Sequence, residues 1–249
     1  MTAINLFLRL LFTHVVMDFT LQPKCLVCKK TKGNKGEIVL YNLLHSILHA
    51  LAAYLVIGEW KSWQVPLTLF ISHFLIDFGY KKEKEDVKTF VIDQILHLAV
   101  IIGIVCMFIF KDNPSINDLP LVLQNNTLWK ILIAYLLVTR PSSILIQKFI
   151  ERWNPERLVN DCIVQENTPA KDKGLEKAGE WIGYLERILI VTFIFINQWS
   201  GIGFLLAAKS IFRYGNLKEN KEIRMTEYVL IGTLFSFSLA IAIGLLFSF

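Results

Sequence analysis

Eight apolar segments separated by short charged stretches make up most of this chain of 249 residues. They cover residues 4–21, 39–57, 64–80, 90–110, 128–149, 181–197, 200–214 and 226–248. Several approach the roughly 20 residues that a helix needs to cross the hydrocarbon core of a bilayer. Hydrophobic residues form 54% of the chain and charged residues 19%, which is more apolar than a typical soluble domain. We therefore predict an all-α fold, a polytopic transmembrane helix bundle of about eight spans.

Lysine and arginine are concentrated in every second loop between these segments. The basic loops are 22–38, 81–89, 150–180 and 215–225, and the loops between them carry few such residues. Because cytoplasmic loops of membrane proteins are rich in lysine and arginine, we expect these four loops to be cytoplasmic and both termini to be non-cytoplasmic. The net charge of +5 follows from this topology. No basic motif interleaved with aromatic residues accompanies it, so we expect no nucleic-acid partner.

The same segments predict how the chain is organised. We expect residues 1–150 to form one membrane bundle, 151–180 a cytoplasmic linker, and 181–249 a C-terminal membrane segment of three helices. The predicted linker is polar and contains Pro155 and Pro169, a composition that is typical of a connection between two structured regions.

Histidine occurs in this chain only at a fixed spacing from a second histidine or an aspartate. Each of the five histidines has such a partner four residues away, inside an apolar segment. The pairs are His14/Asp18, His45/His49, His73/Asp77 and Asp93/His97. A spacing of four places two side chains on one helix face, one turn apart. Because ionisable groups inside membrane helices are costly, the pattern indicates a function.

The topology places all four pairs at one depth. Each pair lies near the predicted cytoplasmic end of its span, within roughly 4–15 Å at about 1.5 Å per residue. We therefore expect one polar site on the cytoplasmic side, formed by four helices. Two other interpretations remain open: separate polar contacts that hold helices together, and a pathway for protons or ions.

Imidazole and carboxylate groups are the ligands that zinc, iron and manganese bind in proteins. We therefore expect the eight paired residues to hold a divalent transition metal, zinc first, with manganese or iron as alternatives. Eight ligands exceed the needs of one tetrahedral ion, so either two metals bind or some residues orient the ligands. Asn42 and Gln94 lie near the same level and are candidates for that orienting role. Asp77 and Asp93 are the candidates for a catalytic general base.

Four motifs surround these pairs: HxxxDFxLQ (His14 to Gln22), HxxxH (His45 to His49), SHFxID (Ser72 to Asp77) and FxIDQxLH (Phe90 to His97). In this order, over about residues 1–110, they resemble a family of bacterial multi-spanning membrane proteins of unknown function. The resemblance implies a bacterial cytoplasmic membrane as the location. The pattern is also loosely similar to membrane-bound metal-dependent hydrolases, which are likewise built from histidine and aspartate on helices.

The remaining chemistry-bearing residues give weaker signals. Lys209 and Arg213 lie one turn apart, and we expect them to bind an anionic substrate group; the alternative is that they are helix-end cations in structural ion pairs. Cys25 and Cys28 form a CxxC sequence without the second half that a zinc site of this kind needs. We therefore expect their thiols to be reduced.

The leading hypothesis from the sequence is a metal-dependent membrane hydrolase that acts on a lipid or another membrane-accessible substrate, which enters from the inner leaflet or the cytoplasm. The main alternative is a metal-ion or proton-coupled transporter that uses the same residues. A third is a membrane scaffold whose polar core fixes the register of its helices. The HExxH, GxSxG, phosphate-loop and kinase motifs do not occur in the chain, so the corresponding enzyme classes are not indicated.

Overall fold

The computed structural model describes residues 2–79, 86–109, 124–153, 178–214 and 221–248, and in these ranges every regular element is a helix. The chain forms two compact units, Met1–Leu136 and Leu137–Phe249. The helices of the first are α1 (Ala3–Val15), α2 (Lys24–Lys32), α3 (Lys35–Ile57), α4 (Gln64–Gly79), α5 (Val87–Ile109) and nearly all of α6 (Asn126–Leu137). Those of the second are α7 (Arg140–Ile150), α8 (Ala178–Phe195), α9 (Trp199–Tyr214) and α10 (Lys221–Ser248). The predicted all-helical fold is confirmed.

In the described part of the chain, five helical stretches are long and apolar enough to cross a membrane, judged by length and composition. They are Ala3–Thr20, Lys35–Ile57, Val87–Met107, Asn126–Ile150 and Thr226–Ser248. Gln64–Gly79 and Trp199–Ile211 are shorter apolar helices. The total of eight spans and the location of both termini stay predictions, and most of the predicted linker 151–180 lies outside the described residues.

Local sequence signals fix the ends of α3 and the start of α5. Asn34 and Glu37 form a capping box, in which each side chain accepts a hydrogen bond from the backbone N–H of the other. Such a box satisfies two of the N–H groups that a helix leaves without partners. At its other end α3 stops at Gly58, whose φ of 66° is left-handed and suits glycine. Asp86 accepts from the N–H of Thr89 at 2.8 Å, and this bond lowers the pKa of the Asp86 carboxyl.

The first unit contains a helix bundle with an apolar half and a polar half. The apolar half is a buried cluster from α1, α3, α4 and α5, with Leu6, Leu10, Ala53, Ile57, Val65, Leu69, Ile101, Ile104 and Val105. The outward faces are apolar as well, for example at Leu48, Leu55, Ile71, Leu75 and Ile95. Apolar residues outside and polar residues inside are what a bundle surrounded by lipid requires.

A fully buried arginine links three helices of this unit. Arg9 of α1 is 0% exposed and donates to the carbonyls of Ile57 and Val56, at 2.9 and 3.4 Å. These carbonyls belong to the last turn of α3, where helix C=O groups lack intrahelical partners and where a cation is favoured. The guanidinium also lies 5.6 Å from the ring centre of Trp129 on α6. The sequence analysis did not single out Arg9.

The predicted span 128–149 is not one continuous helix. Thr139, between α6 and α7, has φ −88° and ψ −115°, far from helical values. Pro141 lacks the N–H that would bond to the carbonyl of Leu137, and proline excludes helical geometry from the residue before it. The hydroxyl of Ser142 donates to that carbonyl instead, at 2.6 Å.

Arg187 of α8 satisfies the polar groups that this helix break leaves behind. Its side chain is 3% exposed. It donates to the carbonyl of Val138 at 2.5 Å, to the hydroxyl of Ser143 at 2.6 Å and to the hydroxyl of Ser236 at 3.2 Å. A buried arginine is tolerated when its donors are paired in this way, so Arg187 has a structural role in the second unit.

Candidate metal centre

The polar half of the first unit is assembled from the four predicted pairs. His14 lies at the end of α1 and Asp18 in the turn that follows it, whereas His45 and His49 lie near the middle of α3. His73 and Asp77 lie in the last turns of α4, and Asp93 and His97 lie in the first half of α5. We call this set the His/Asp cluster: His14, Asp18, His45, His49, His73, Asp77, Asp93 and His97. All five histidines and Asp93 are at most 4% exposed. The structure thus brings all eight predicted residues into one place.

One element of the cluster has a geometry that the spacing did not predict. After Val15 the chain continues as a π-helix, Val16–Thr20. The N–H of Leu21 bonds to the carbonyl of Val16 at 2.8 Å, which is the i to i+5 pattern. Asp18 lies inside this wider turn. Single π-turns occur frequently at functional sites, and this one contains Asp18, whose carboxylate contacts three histidines.

Asp18 lies among imidazoles from three helices. Its Oδ1 atom is 3.0 Å from Nε2 of His45 and 3.5 Å from Nε2 of His73. Its Oδ2 atom is 3.6 Å from Nδ1 of His14. The shortest of these contacts is a hydrogen bond, whereas the other two are too long for one.

Asp77 forms the second centre of the cluster. Its Oδ1 atom is 3.7 Å from Nε2 of His97, and its Oδ2 atom is 3.6 Å from Nε2 of His73. Oδ2 also accepts a hydrogen bond from the ammonium of Lys30. His73 therefore lies between the two carboxylates of Asp18 and Asp77.

Among the described residues, three sets of side chains place their ligand atoms within 4.8 Å of one another. They are His14, Asp18, His49 and His73; His45, His73 and Asp77; and Asp77, Asp93 and His97. The four-residue set and the set with Asp93 share no residue. All eight members of the His/Asp cluster belong to at least one set.

Two imidazoles direct a nitrogen lone pair into the His/Asp cluster. Nδ1 of His97 is 2.9 Å from the carbonyl of Asp93. Because a carbonyl only accepts, Nδ1 carries the hydrogen and the neutral ring leaves a lone pair on Nε2, which faces Asp77. His14 is arranged similarly: its Nε2 is 3.2 Å from Oε1 of Gln94, which leaves a lone pair on Nδ1. This atom lies 3.6 Å from Oδ2 of Asp18 and 3.4 Å from Nε2 of His49. Two acceptors that face each other need a cation between them.

Three buried imidazole nitrogens have no hydrogen-bond partner among the described residues: Nδ1 of His49, Nε2 of His73 and Nε2 of His97. Buried polar atoms are nearly always satisfied, and exceptions call for an explanation such as an ion. Two ligands bound about 2.0–2.2 Å from one tetrahedral ion lie about 3.3–3.6 Å apart. The 3.5 and 3.6 Å distances from His73 to Asp18 and Asp77, and 3.7 Å from His97 to Asp77, are close to that spacing.

The two expected orienting residues have different contacts. Gln94 joins the cluster directly, because its Oε1 faces His14 and its Nε2 donates to Oδ2 of Asp93 at 3.1 Å. Asn42 donates to the backbone carbonyls of Lys30 and Ile38, at 3.3 and 2.7 Å. Gln94 thus orients two members of the cluster, whereas Asn42 ties α2 to α3.

Lys30 and Gln22 belong to the site although the sequence analysis did not include them. Lys30 was counted only as a charge of the basic loop 22–38, yet that loop contains α2, which carries Lys30 to Asp77. With its amide turned to satisfy both neighbours, Gln22 donates to the carbonyl of Asp18 and accepts from Lys30, at 3.0 and 2.9 Å. The sequence signal was the position of Gln22 inside the HxxxDFxLQ motif.

The other predicted residues lie elsewhere. Lys209 belongs to the second unit, where its ammonium pairs with Oε2 of Glu186 at 2.5 Å. The side chain of Arg213 lies outside the described part of the chain, so binding of an anionic group by these two residues stays a prediction. Cys25 and Cys28 are exposed on α2.

A family model described as "Protein of unknown function (DUF3307)" matches residues 6–145, more than half of the chain. The chain belongs to this family. The match includes all eight members of the His/Asp cluster together with Gln22, Lys30 and Gln94. Comparison with curated proteins and with solved structures gave no match. The predicted relation to an uncharacterised family is confirmed, whereas the similarity to membrane hydrolases stays a prediction.

Proposed function

We propose that this protein is an integral membrane metalloenzyme, a metal-dependent hydrolase that acts on a lipid or another membrane-accessible substrate. One observation carries the proposal. The buried Nε2 lone pair of His97 faces Oδ1 of Asp77 across 3.7 Å and has no hydrogen-bond partner among the described residues. A divalent cation bound to both partners would satisfy these atoms, and helix-packing hydrogen bonds would be shorter.

The ligand sets favour two ions with different roles. His14, Asp18, His49 and His73 supply four ligands, which is the number that closes a tetrahedral shell. Asp77, Asp93 and His97 supply three, which leaves a position for water or substrate, as in catalytic sites. Histidine with aspartate suits zinc, and manganese or iron are the alternatives.

The proposed hydrolysis depends on the open coordination position of the three-residue set. A metal there would polarise a carbonyl or phosphoryl oxygen and lower the pKa of a bound water toward about 7. Asp77 and Asp93 belong to this set, and each carboxylate has two oxygens, of which one can ligate the metal. We propose that a carboxylate oxygen left free of metal acts as general base for the attacking water. Gln94 would hold Asp93 and His14 in place through its amide. Such orienting contacts typically change metal affinity 10- to 100-fold.

A transporter is the second candidate, because the ligand sets overlap. His73 and Asp77 each belong to two sets, and adjacent sites with shared ligands are what an ion needs to pass from one to the next. Beyond the cluster, however, apolar side chains such as Leu6, Leu10 and Ile57 pack together, and the buried Arg9 there is bonded to the end of α3. This packing opposes a path across the bundle and favours the enzyme.

Elemental analysis of the purified protein tests the proposal. We expect one or two equivalents of a first-row transition metal, retained through gel filtration. Reconstituted vesicles loaded with a metal-sensitive dye should show no metal uptake above that of protein-free vesicles. Rapid uptake would establish the transporter, and folded, active protein without metal would contradict a metal site altogether.

A further inference from the structure

Lys30 is a largely buried lysine next to the His/Asp cluster. Its side chain is 9% exposed, and its ammonium donates to Oδ2 of Asp77. The neighbouring Lys29 points elsewhere: its ammonium donates to the hydroxyl of Tyr41 at 2.9 Å and lies 4.9 Å from the centre of that ring. Two adjacent lysines on α2 therefore have different environments, and only one contacts the His/Asp cluster.

Lys30 also lies where the cluster is most accessible. The side chains of Asp18, Lys30 and Asp77 are 11%, 9% and 8% exposed, whereas His73 is 2% exposed. A molecule that reaches the cluster along this least buried side meets the Lys30 ammonium and the two carboxylates first. An ammonium has three N–H donors. Asp77 and Gln22 use two of them, and the third can bond to a substrate oxygen.

The charges of the site specify the charge of its substrate. With the two divalent ions of the proposed function in place, Asp18, Asp77 and Asp93 offset three of four positive charges. Lys30 raises the excess to two. A phosphate monoester carries close to two negative charges at neutral pH, whereas a carboxylate ester or an amide carries none at the reacting group.

We propose that the substrate is a phosphate monoester and that Lys30 binds one of its phosphate oxygens; this rests on the metal centre of the proposed function. In the reaction, the oxygen of water bonds to phosphorus while the bond from phosphorus to the ester oxygen breaks. The water gives one proton to the aspartate base, which passes it to the departing alcohol. The products are the alcohol and inorganic phosphate, so no further reactant is needed.

Phosphate binding by metal-loaded protein tests this substrate class. Isothermal titration calorimetry with inorganic phosphate should give a binding signal for the wild type. Lys30→Gln should weaken this binding about 10- to 100-fold, because a charge-assisted hydrogen bond is lost. Lys29→Gln is the matched control and should bind phosphate as the wild type does. Lys30→Arg keeps the charge and should retain most of the affinity.

Two substrates then distinguish a lipid headgroup from a soluble ester. Release of phosphate is measured from phosphatidic acid in phosphatidylcholine vesicles and from p-nitrophenyl phosphate in solution. Either release supports the monoester class, and their ratio identifies the source. Metal-loaded wild type that neither binds nor releases phosphate would overturn the inference, as would equal phosphate affinity in the wild type and Lys30→Gln. Wild type without metal would instead refute the proposed function, so metal content is measured first.

Discussion

At the scale of single residues, the cluster is a connected chain of contacts. Oδ2 of Asp18 faces Nδ1 of His14, and Nε2 of His14 bonds to Gln94. Gln94 in turn donates to Oδ2 of Asp93. Each group constrains the tautomer or the orientation of the next one, as residues around a metal commonly do. Two aspartates on different helices are thus linked through an imidazole and an amide.

The removal of His73 should deplete the metal bound by the site. His73 belongs to two ligand sets and lies between Asp18 and Asp77. We expect purified His73→Ala to lose at least half of the wild-type metal by elemental analysis. Ser72→Ala is the control, because the bonds of the Ser72 hydroxyl to the described residues go to backbone carbonyls of its own helix. Its loss should leave the metal content unchanged. Equal metal content in the two variants would argue against His73 as a ligand.

Asp18→Asn and Asp93→Asn should be non-additive. Both changes keep the side-chain shape and remove a charge, so each should lower metal affinity by at least 10-fold. Because both residues act on one chain of contacts, we expect a coupling of about 0.5–3 kcal/mol in a double-mutant cycle measured by competition with a chelator.

Asp86→Asn is the matched control for this cycle. Asp86 accepts from the N–H of Thr89 at the start of α5, a capping role that asparagine also fills, and metal affinity should not change. Simple additivity between Asp18 and Asp93 would indicate separate polar contacts and would favour the scaffold interpretation.

At the scale of helices, the sequence predicted more about the site than about the elements that carry it. The four pairs could be recognised because residues four apart share a helix face. The π-turn at Val16–Thr20 could not be recognised from the sequence, because one additional residue in a turn leaves the segment apolar. The break at Thr139 had a visible signal in Pro141. Lys30 was missed because lysine in a loop between spans is usually interpreted as a topology signal, and only the docking of α2 brings it to Asp77.

Arg187 should be essential for the stability of the second unit. It satisfies the carbonyl of Val138 and the hydroxyls of Ser143 and Ser236. Arg187→Met keeps much of the apolar length and leaves these buried groups without their donor. We expect a loss of about 2–4 kcal/mol, measured as a lower free energy of unfolding in a detergent titration. Arg187→Lys should show an intermediate loss, because one ammonium cannot reach all the acceptors. A Met variant as stable as the wild type would show that water replaces the guanidinium.

At the scale of the whole molecule, the cluster and the topology are two separate predictions that support each other. The topology was inferred from lysine and arginine in loops, and none of the eight cluster residues contributed to it. Within the bundle, the cluster members on α1, α4 and α5 and in the π-turn lie toward the helix ends that adjoin the basic segments 22–38 and 81–89, and those on α3 lie near its middle. If the positive-inside rule holds here, the site opens to the cytoplasm and substrates reach it from that side or from the inner leaflet.

Cysteine accessibility measures this topology directly. The native residues Cys25, Cys28, Cys106 and Cys162 are first replaced by serine or alanine. Single cysteines are then placed at Lys35, Lys84 and Asp172, and labelled with a membrane-impermeant maleimide in intact cells and in inverted vesicles. Lys35 is exposed at the start of α3. Gly33 would be a poor choice, because a Cβ there would lie 2.7 Å from the carbonyl of Lys29.

We expect all three positions to react in inverted vesicles and to be protected in intact cells, and cysteines added at either terminus to behave oppositely. A cytoplasmic C-terminus would remove an odd number of spans from the predicted eight. The short helix α9 would then be the first segment to reassign. Labelling of Lys35→Cys from outside the cell would place the His/Asp cluster on the opposite side of the membrane. The ligand geometry would be unchanged by that result, but the substrate would have to arrive from outside the cell or from the outer leaflet of this membrane.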